Sequence, residues 1–377
     1  MMKILYDFQI FQMQQYGGVS RYFHELIRSI GKLNDVNIMI FFGLHQSGFD
    51  WKSQRSICTK QFAIQVPPWI AARKLTTAIN YAGFTLFQSF GPSPDIIHLT
   101  YYPYKIFRKR KSKLVITLYD MIQELHPEYY ADDASIMRKK RALFEADLIL
   151  CISEATRKDL LHYYSIDPTK VCTVHLGPTF LPALIQDEKS VHIPHRKKRP
   201  YFLFVGIRGT YKNFQNAIRA YAGDQRLVKD FDFLCFGSTP FSVEEQNMFN
   251  NYGIGKQTFH RSGTDQELWS SYRHAHLFIY PSLYEGFGFP LLEAMAVGCP
   301  IVASNRGSIP EVLGEAGVLF NPSDDSSIID AMTKVAYDDI LRKSLVEKGY
   351  SRLNYFSWEK TAKETYNAYL DMLGGKL

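Results

Sequence analysis

The sequence predicts an α/β protein with two doubly wound, Rossmann-like domains that face a central cleft. Apolar segments of strand length alternate with helical segments in two separate runs, which is typical of parallel sheets covered by helices. A basic, proline-punctuated stretch at residues 183–200 separates the runs and predicts a linker. The chain has 377 residues, of which 46% are hydrophobic, and this is long enough for two cores.

The first run predicts six strands and four helices. Short apolar segments place the strands at 3–6, 36–42, 95–99, 114–118, 148–152 and 171–176. Helical spacing of apolar residues places the helices at 19–33, 69–87, 132–146 and 154–163, the last capped by Ser153. Residues 43–66 have no clear pattern. We expect this run to form a first domain over residues 1–185.

The second run predicts a further sheet and its helices. Strands are expected at 201–205, 233–236, 277–280, 301–303 and 318–320. Ser242 with Glu245, and Thr264 with Glu267, have the spacing of capping boxes at helix starts. We expect a second domain over residues 198–356. The last helix carries its apolar stripe on Trp358, Ala362, Tyr366, Tyr369 and Leu373.

Composition favours a cytoplasmic protein. No run of 18 apolar residues predicts a membrane span, and Asp7 interrupts the first apolar run too early for a signal peptide. The five cysteines are scattered, odd in number and without C-x-x-C spacing, so we expect reduced, mostly buried thiols.

The net charge of +7 is concentrated in basic clusters at 108–111, 138–141 and 196–199. One interpretation is a solvated surface. The other is attraction to anionic lipid headgroups or to a phosphorylated acceptor, which would place the protein peripherally on a membrane.

Residues 281–293, P-S-L-Y-E-G-F-G-F-P-L-L-E, follow a strand and combine a glycine-rich loop with a helix start. Pro290 suits the first helical turn. The N–H groups of Gly288, Phe289, Leu291 and Leu292 are then expected to bind a phosphate, and the two glutamates, Glu285 and Glu293, to accept hydrogen bonds from sugar hydroxyls. The alternative is structural, because a glutamate can also cap a turn or complement a helix dipole.

Arg208 and Lys212 lie in the first loop of the second domain, where two cations suit a diphosphate leaving group. The alternative is ordinary surface charge. Gly17 and Gly18 form a similar turn before a helix of the first domain, close to Arg21. We expect no metal site. The D-x-D pattern at 230–232 precedes a strand and is attributed to chance, and the histidines lack metal-ligand spacing.

Taken in order, these motifs resemble the retaining glycosyltransferases of family four, which have the GT-B fold. The resemblance covers almost the whole chain. It includes G-G-V-S-R-Y (17–22), S-E-A-T-R-K-D-L (153–160), L-G-P (176–178), K-N (212–213), the block at 281–304, I-P-E-V-L-G-E-A-G (309–317) and F-S-W-E-K-T-A (356–362). The spacing of Glu285 and Glu293 is the family's E-x7-E. The resemblance also implies that a helix at about 357–377 packs back on the first, acceptor-binding domain.

The resemblance implies a role for each matching residue. Glu285 would lie beside the donor sugar, Glu293 would hold the ribose diol, and Lys212 with Arg208 would contact the diphosphate. The remaining donor-binding positions would be Gly17, Gly18, Gly206, Gly286, Phe287, Gly288, Phe289 and Leu292. The family's His-Asp pair near the reacting centre corresponds to Tyr119 and Asp120 here, so Asp120 matches and Tyr119 departs. His98 and Tyr119 are the candidate acceptor contacts.

The resemblance implies transfer of a hexose from a nucleotide-sugar to an acceptor hydroxyl with retention, without a metal or other cofactor. Similarity to bacterial mannosyltransferases favours GDP-mannose as the donor and a lipid-linked surface polysaccharide, such as O-antigen, capsule or exopolysaccharide, as the acceptor at the inner membrane face. Three alternatives stay open: a UDP-sugar donor, a nucleotide-sugar epimerase of the same architecture, and a non-enzymatic basic protein that binds membrane or nucleic acid. For the transferase, no nucleic-acid partner is expected.

Overall fold

The computed structural model describes residues 1–51, 57–106, 108, 111–130, 133–178 and 199–374. It has two compact units, Met1–Gly177 with Ser357–Leu377, and Pro178–Phe356. Most of the stretch expected to be a linker lies outside the described residues. Each unit is a parallel sheet covered by helices, which confirms the predicted class of two Rossmann-like α/β domains.

The first unit contains a seven-stranded sheet of order β3-β2-β1-β4-β5-β6-β7. The strands are β1 (Met2–Tyr6), β2 (Val36–His45), β3 (Ile57–Gln65), β4 (Ile96–Leu99), β5 (Lys113–Leu118), β6 (Leu148–Cys151) and β7 (Val171–Thr173). Its helices before residue 178 are α1 (Gln9–Met13), α2 (Gly18–Ile30), α3 (Pro68–Ala71), α4 (Lys74–Phe90), α5 (Ile122–Leu125), α6 (Asp133–Glu145) and α7 (Glu154–Tyr163). All its strand pairs are parallel, as helical crossovers between strands require.

The second unit contains a six-stranded parallel sheet of order β10-β9-β8-β11-β12-β13. The strands are β8 (Tyr201–Val205), β9 (Asp232–Phe236), β10 (Thr258–Arg261), β11 (Leu277–Tyr280), β12 (Ile301–Ser304) and β13 (Gly317–Phe320). The helices are α8 (Phe214–Gly223), α9 (Gln225–Asp230), α10 (Val243–Asn251), α11 (Asp265–His274), α12 (Phe289–Ala296), α13 (Ile309–Leu313), α14 (Asp325–Ala336) and α15 (Asp339–Leu353). Both predicted capping boxes are present, at the starts of α10 and α11.

The last helix, α16 (Trp358–Leu373), belongs to the first unit. Its Trp358 ring lies 6.1 Å from the ring of Tyr22 on α2. Gly177 permits this packing, because a Cβ atom there would lie 2.5 Å from the backbone nitrogen of Trp358. The predicted stripe is correct at Trp358, Ala362 and Tyr369, whereas Leu373 is exposed and its neighbour Met372 is buried.

Three elements of the first unit differ from the sequence prediction. Strand β3 lies in the stretch that has no clear sequence pattern. Among the described strands it is the edge strand of the sheet and pairs only with β2. Helix α1 occupies a stretch expected to be a loop. It is only five residues long, too short to show a helical repeat, and it buries Ile10 and Phe11 together with two glutamines. The expected helix at 69–87 is divided into α3 and α4 by Arg73, whose backbone is extended.

Each sheet has one place where the direction of strand addition reverses. In the first unit this is between β1 and β4, and in the second it is between β8 and β11. Loops leaving the carboxyl ends of such adjacent strands diverge and open a crevice, where ligands of doubly wound folds bind. A ligand-binding site is therefore expected in these two crevices.

Candidate active site

The crevice of the second unit lies between the loop that follows β8 and the loop that follows β11. The two loops are hydrogen-bonded to each other, since the Leu283 N–H donates to the Tyr211 carbonyl at 2.7 Å. The Asn213 side chain reinforces this link by donating to the carbonyls of Pro281 at 3.1 Å and Pro322 at 2.8 Å. Asn213 has a left-handed backbone conformation with φ of 57°, which asparagine tolerates better than most residues. The crevice therefore has a fixed frame.

Lys212 and Glu285 meet inside this frame. Lys212 Nζ lies 2.6 Å from Glu285 Oε1, and both side chains are largely buried. The ammonium group also lies 5.1 Å and 5.7 Å from the ring centroids of Tyr211 and Tyr280. Tyr280 bonds to Glu285, and burial together with the Glu285 charge raises its pKa, so its hydroxyl stays a donor. The structure thus brings together two residues that the sequence assigned to the same reaction.

Two residues that the motif analysis did not assign to the site hold the Glu285 backbone. The Ser308 hydroxyl lies 2.9 Å from the carbonyl oxygen of Glu285 and 2.8 Å from that of Phe287. Gly307 has φ of 56°, and a Cβ atom there would lie 2.9 Å from the Glu285 carbonyl oxygen. Only glycine fits so close to that backbone. The sequence did contain an indication of their role, because Gly307 and Ser308 directly precede the I-P-E motif.

Helix α12 begins beside Glu285. Its N-cap, Gly288, has φ of 107°, and Pro290 lies in the first turn as predicted. Of the four N–H groups expected to bind a phosphate, that of Leu291 is already paired, because it donates to the Gly288 carbonyl at 3.0 Å. This bond closes a tight first turn. The side chain of Leu292 is fully buried, so only its backbone is available to a ligand.

Glu293 follows one turn later on α12. It is 8% exposed and accepts a hydrogen bond from the Tyr272 hydroxyl at 3.2 Å. Burial and the Glu293 charge raise the pKa of Tyr272, so that the hydroxyl stays protonated and keeps the carboxylate oriented. The second oxygen of an oriented carboxylate can accept hydrogen bonds from a diol, which is the role expected for this residue.

The remaining predicted donor-binding residues of this unit contribute backbone. Gly206 has φ of 120° and donates its N–H to Phe236 at 3.0 Å, which turns the chain away from β8. Gly286 is buried in the loop after β11. The Phe287 ring packs 5.8 Å from the rings of Phe289 and Phe356, so its side chain belongs to the core.

Arg208 does not occupy the position expected of a residue that contacts a diphosphate. Its guanidinium group pairs with both oxygens of Glu245, at 2.7 and 3.1 Å, and donates to the carbonyls of Gly237, Thr239 and Pro240. It also lies over the Phe241 ring. The side chain is 4% exposed and its donors are occupied, so it anchors the turn before α10 and is not presented to a diphosphate. The sequence could not reveal this, because Glu245 is 37 residues away.

The D-x-D pattern is also occupied by structural contacts. Asp230 accepts from the Tyr337 hydroxyl at 2.9 Å, and Asp232 lies 3.4 Å from Arg199 Nε. In the part of the chain that the structure describes, no cluster of three histidine, cysteine or acidic residues is arranged to bind a metal ion. Cys151, Cys172, Cys235 and Cys299 are free thiols, and all of them except Cys172 are buried.

In the first unit, Gly17 and Gly18 begin α2 as predicted. The Gln14 side-chain oxygen accepts the Ser20 N–H at 3.1 Å and so caps the helix. A Cβ atom at Gly17 would lie 2.5 Å from that oxygen, whereas one at Gly18 would meet nothing within 4 Å. Gly17 therefore allows the capping contact, and Gly18 leaves open space at the helix start.

His98 is a core residue, which corrects its assignment as an acceptor contact. It is 0% exposed, with Nδ1 2.6 Å from the Tyr369 hydroxyl and Nε2 2.9 Å from the Thr117 hydroxyl. Burial lowers its pKa to about 3, so it stays neutral. Its position near the end of β4 suggested a ligand, but the strand directs its side chain towards α16.

Tyr119 is 9% exposed and donates to the Thr100 carbonyl at 3.2 Å, so its hydroxyl is also engaged. Asp120, directly after it, is half-buried and accepts the Ile122 N–H at 3.1 Å. Beneath it, Lys139 Nζ lies 3.4 Å from the Asp120 carbonyl and 2.6 Å from Glu124 Oε2. This fully buried ion pair holds the Asp120 backbone.

The crevice of the first unit contains a cavity of about 310 Å³. It lies at the carboxyl ends of β1 and β4. Its lining consists of aromatic rings, amide side chains, one methionine, three small residues of the segment that contains α3 and α4, and one arginine. The residues are Phe8, Gln9, Gln12, Met13, Gln46, Ala71, Ala72, Thr77, Tyr81, Tyr101, Tyr102, Tyr104 and Arg138. Burial, and to a smaller extent the charge of Asp120, raises the pKa of Tyr101 and Tyr102, so both hydroxyls stay protonated.

The polar floor of this cavity is rigid. The Gln9 amide nitrogen donates to buried Asp7 at 2.6 Å and to the Tyr101 carbonyl at 3.2 Å. The Gln46 amide nitrogen donates to the Gln12 carbonyl at 2.7 Å. Among the described residues no hydrogen bond uses the amide oxygen of Gln9 or Gln46. These oxygens are acceptors for a ligand with hydroxyl groups.

Both halves of the chain match family models of known proteins. A family model described as "Glycosyltransferase Family 4" matches residues 16–177, and one described as "Glycosyl transferases group 1" matches residues 185–352. The chain is 28% identical over 274 residues to the O-antigen chain mannosyltransferase B of Escherichia coli, covering 69% of this chain and 71% of that protein. It is 29% identical over 277 residues to the serotype-specific mannosyltransferase WbdA of Escherichia coli, covering 69% of this chain but only 34% of WbdA.

Among solved structures, the sucrose-phosphate synthase of Thermosynechococcus elongatus superposes with a TM-score of 0.75 at 18% identity, covering 100% of both chains. At this identity the likeness concerns the fold. Fold and motifs together define a glycosyltransferase of the GT-B class. Within that class, the chain belongs to the family-four type and is similar to bacterial mannosyltransferases that act in O-antigen synthesis.

Proposed function

We propose that this glycosyltransferase transfers mannose from GDP-mannose to a hydroxyl group of a growing bacterial surface polysaccharide, with retention of configuration. One observation carries the proposal: Lys212 and Glu285 meet at 2.6 Å in the crevice of the second unit, beside the start of α12. The similarity to O-antigen mannosyltransferases supports the choice of sugar and acceptor.

The leaving diphosphate gains negative charge as the glycosidic bond breaks. In this proposal Lys212 and the N–H groups at the start of α12 stabilise that charge. Glu285 accepts hydrogen bonds from the sugar and places a negative charge near its electron-poor anomeric carbon. Glu293, oriented by Tyr272, holds the ribose diol. Because the cation is a lysine, the proposal requires no metal, and a chelator is expected to leave the rate unchanged.

The acceptor is proposed to bind in the cavity of the first unit. A volume of about 310 Å³ lies at the lower end of small-molecule sites and suits the terminal sugar of a glycan. Tyr101 and Tyr102 offer ring surfaces to the apolar face of a sugar, and the amide oxygens of Gln9 and Gln46 accept from its hydroxyls. Asp120, which follows β5 directly after Tyr119, is the proposed catalytic carboxylate of this unit.

A donor and acceptor panel tests the proposal. We expect GDP and GDP-mannose to raise the melting temperature more than UDP and UDP-sugars, and transfer to require a mannose-containing acceptor. Nuclear magnetic resonance of the product is expected to give the anomeric configuration of the donor. Preference for UDP would support the UDP-sugar alternative, and turnover of a nucleotide-sugar without acceptor would support an epimerase. No shift with any nucleotide at millimolar concentration would contradict the proposal.

We further propose that the enzyme works in the cytoplasm, at the inner face of the membrane that carries its lipid-linked acceptor. Among the described residues no helix combines the length and apolar character needed to cross a membrane. Peripheral contact with anionic lipid would bring the enzyme to its acceptor.

A further inference from the structure

One segment of the first unit exposes large apolar side chains. Trp69 on α3 is 62% exposed, and on α4 Leu75, Ile79, Leu86 and Phe90 are 69%, 41%, 58% and 86% exposed. We call these five residues the α3–α4 surface. The α4 members are spaced by four, seven and four positions, so they form one stripe along the helix. A contiguous apolar stripe on a soluble domain marks an interaction site.

The exposure is not caused by loose packing of α4. Its opposite face is buried, at Thr76, Asn80, Phe84 and Gln88. The Asn80 side chain accepts the Leu44 N–H at 2.7 Å and donates to the Leu44 carbonyl at 3.1 Å, so it pairs like a strand residue with the end of β2. These bonds fix the rotation of the helix about its axis, and the apolar stripe is therefore held outward.

The charges around the α3–α4 surface indicate which kind of partner it binds. No aspartate or glutamate occurs between Asp50 and Asp95. Arg73 and Lys74 lie at the start of α4, and the Arg73 guanidinium group lies 4.9 Å from the ring centroid of Trp69. A helical segment with an apolar stripe, a neighbouring tryptophan and only basic charges has the composition of a segment that lies in a membrane interface.

The basic cluster at 138–141 does not fit this role. Lys139 is buried against Glu124, and Arg141 pairs with Glu145 at 2.7 Å. Arg138 lies over the Tyr104 ring, and Lys140 lies 5.7 Å from the ring centroid of Tyr164. Arg108, from the neighbouring cluster, pairs with Asp147 at 3.0 Å. Lys139 is therefore unavailable to a membrane, and carboxylate partners partly neutralise Arg141 and Arg108. The α3–α4 surface, whose segment has no acidic residue, fits the role better.

We infer that the α3–α4 surface docks on an anionic lipid bilayer, with α4 parallel to the membrane plane, its apolar stripe at the headgroup boundary and Arg73 and Lys74 on anionic headgroups. The same segment contributes Ala71, Ala72 and Thr77 to the cavity of the first unit. A lipid-linked acceptor could thus reach that cavity while its lipid stays in the bilayer. The docking itself does not depend on the proposed donor or acceptor.

Vesicle flotation of the full chain tests the inference. We expect binding to vesicles of phosphatidylcholine with phosphatidylglycerol, and much weaker binding to phosphatidylcholine alone. Leu86→Ser combined with Phe90→Ser should weaken the partition coefficient at least tenfold, because each side chain loses its burial in lipid. The matched control replaces two equally exposed apolar residues of the second unit, Val243→Ser with Ile340→Ser, and should bind like the wild type.

Arg73→Gln combined with Lys74→Gln should weaken binding to anionic vesicles by about thirtyfold, since each of the two interfacial charges is worth about 1 kcal/mol. Wild-type protein that binds neither kind of vesicle, or variants that bind as well as the control pair, would overturn the inference. Loss of a dimer on Leu86→Ser with Phe90→Ser, without any lipid effect, would assign the surface to a second copy instead. Transfer to a soluble acceptor by these variants is expected to be unchanged, which separates this outcome from a failure of the proposed function.

Discussion

Lys212 Nζ lies 2.6 Å from Glu285 Oε1, although the two residues are 73 positions apart. The contact joins the loops that follow β8 and β11, which are adjacent strands. In the structure each charge neutralises the other. In the proposed function, a diphosphate at Lys212 would share this cation with Glu285, and the pair would couple nucleotide binding to the position of the carboxylate.

Lys212→Ala is expected to slow transfer by about a hundredfold or more, on the scale of losing one preorganised charge-stabilising group. The loss should fall on kcat more than on donor affinity, because the leaving-group charge develops only in the transition state. Steady-state kinetics with donor and acceptor measures this. Lys348→Ala is the control, since Lys348 forms an exposed ion pair with Glu315. A Lys212→Ala enzyme with wild-type kcat would disprove the assignment.

Glu285→Gln keeps the shape of the side chain but removes its negative charge. We expect kcat to fall, while calorimetric binding of the nucleoside diphosphate is retained or becomes tighter, because Lys212 loses its competing partner. Glu315→Gln is the corresponding control at an exposed glutamate. Loss of nucleotide binding together with unchanged kcat at saturating donor would argue against the role given to Glu285.

Arg208→Gln is expected to reduce stability, since Arg208 anchors the turn before α10. Removing one partner of a buried ion pair costs about 3 to 5 kcal/mol, and the partial exposure of Glu245 places this case at the lower end. Calorimetric melting should therefore shift downward for Arg208→Gln and for Glu245→Gln, and the double variant should lose less than the sum. An unchanged melting temperature with strongly weakened diphosphate binding would restore Arg208 to the donor site.

Because of His98, the first unit is expected to lose stability as the pH falls. Its pKa is lowered to about 3 in the folded state from an ordinary value of 6.5, so the folded state binds a proton less readily than the unfolded state. The contribution of neutral His98 is complete above pH 6.5 and decreases as the pH falls towards 3, by about 1.4 kcal/mol per pH unit at most. Between pH 7 and pH 5 we expect a loss of about 2 kcal/mol.

The comparison variant is His98→Gln, which retains polar groups near Thr117 and Tyr369 but cannot titrate. Unfolding measured at both pH values should show that the wild type loses its advantage over this variant as the pH falls. A difference between the two proteins that does not change with pH would mean that His98 is not responsible.

Local sequence determined much of this protein. Alternating strand and helix segments predicted both parallel sheets, because burial on both faces leaves an apolar signature in each strand. Ser242 and Thr264 were correctly placed as helix starts, since a capping box is complete within four residues. The glycine-rich block at 281–293 predicted its own loop and helix for the same reason, and its position after a strand indicated the site.

The tertiary structure decided which charged groups are available to a ligand. Arg208 and Lys212 are four residues apart and indistinguishable as sequence, yet Arg208 is enclosed by Glu245 and three carbonyls, whereas Lys212 points to Glu285. His98 was directed to Tyr369 on the last helix, 271 residues away. Local patterns encode backbone conformation, which depends on near neighbours. The partner of a buried charge depends on which distant elements pack against it, and only the assembled fold specifies that.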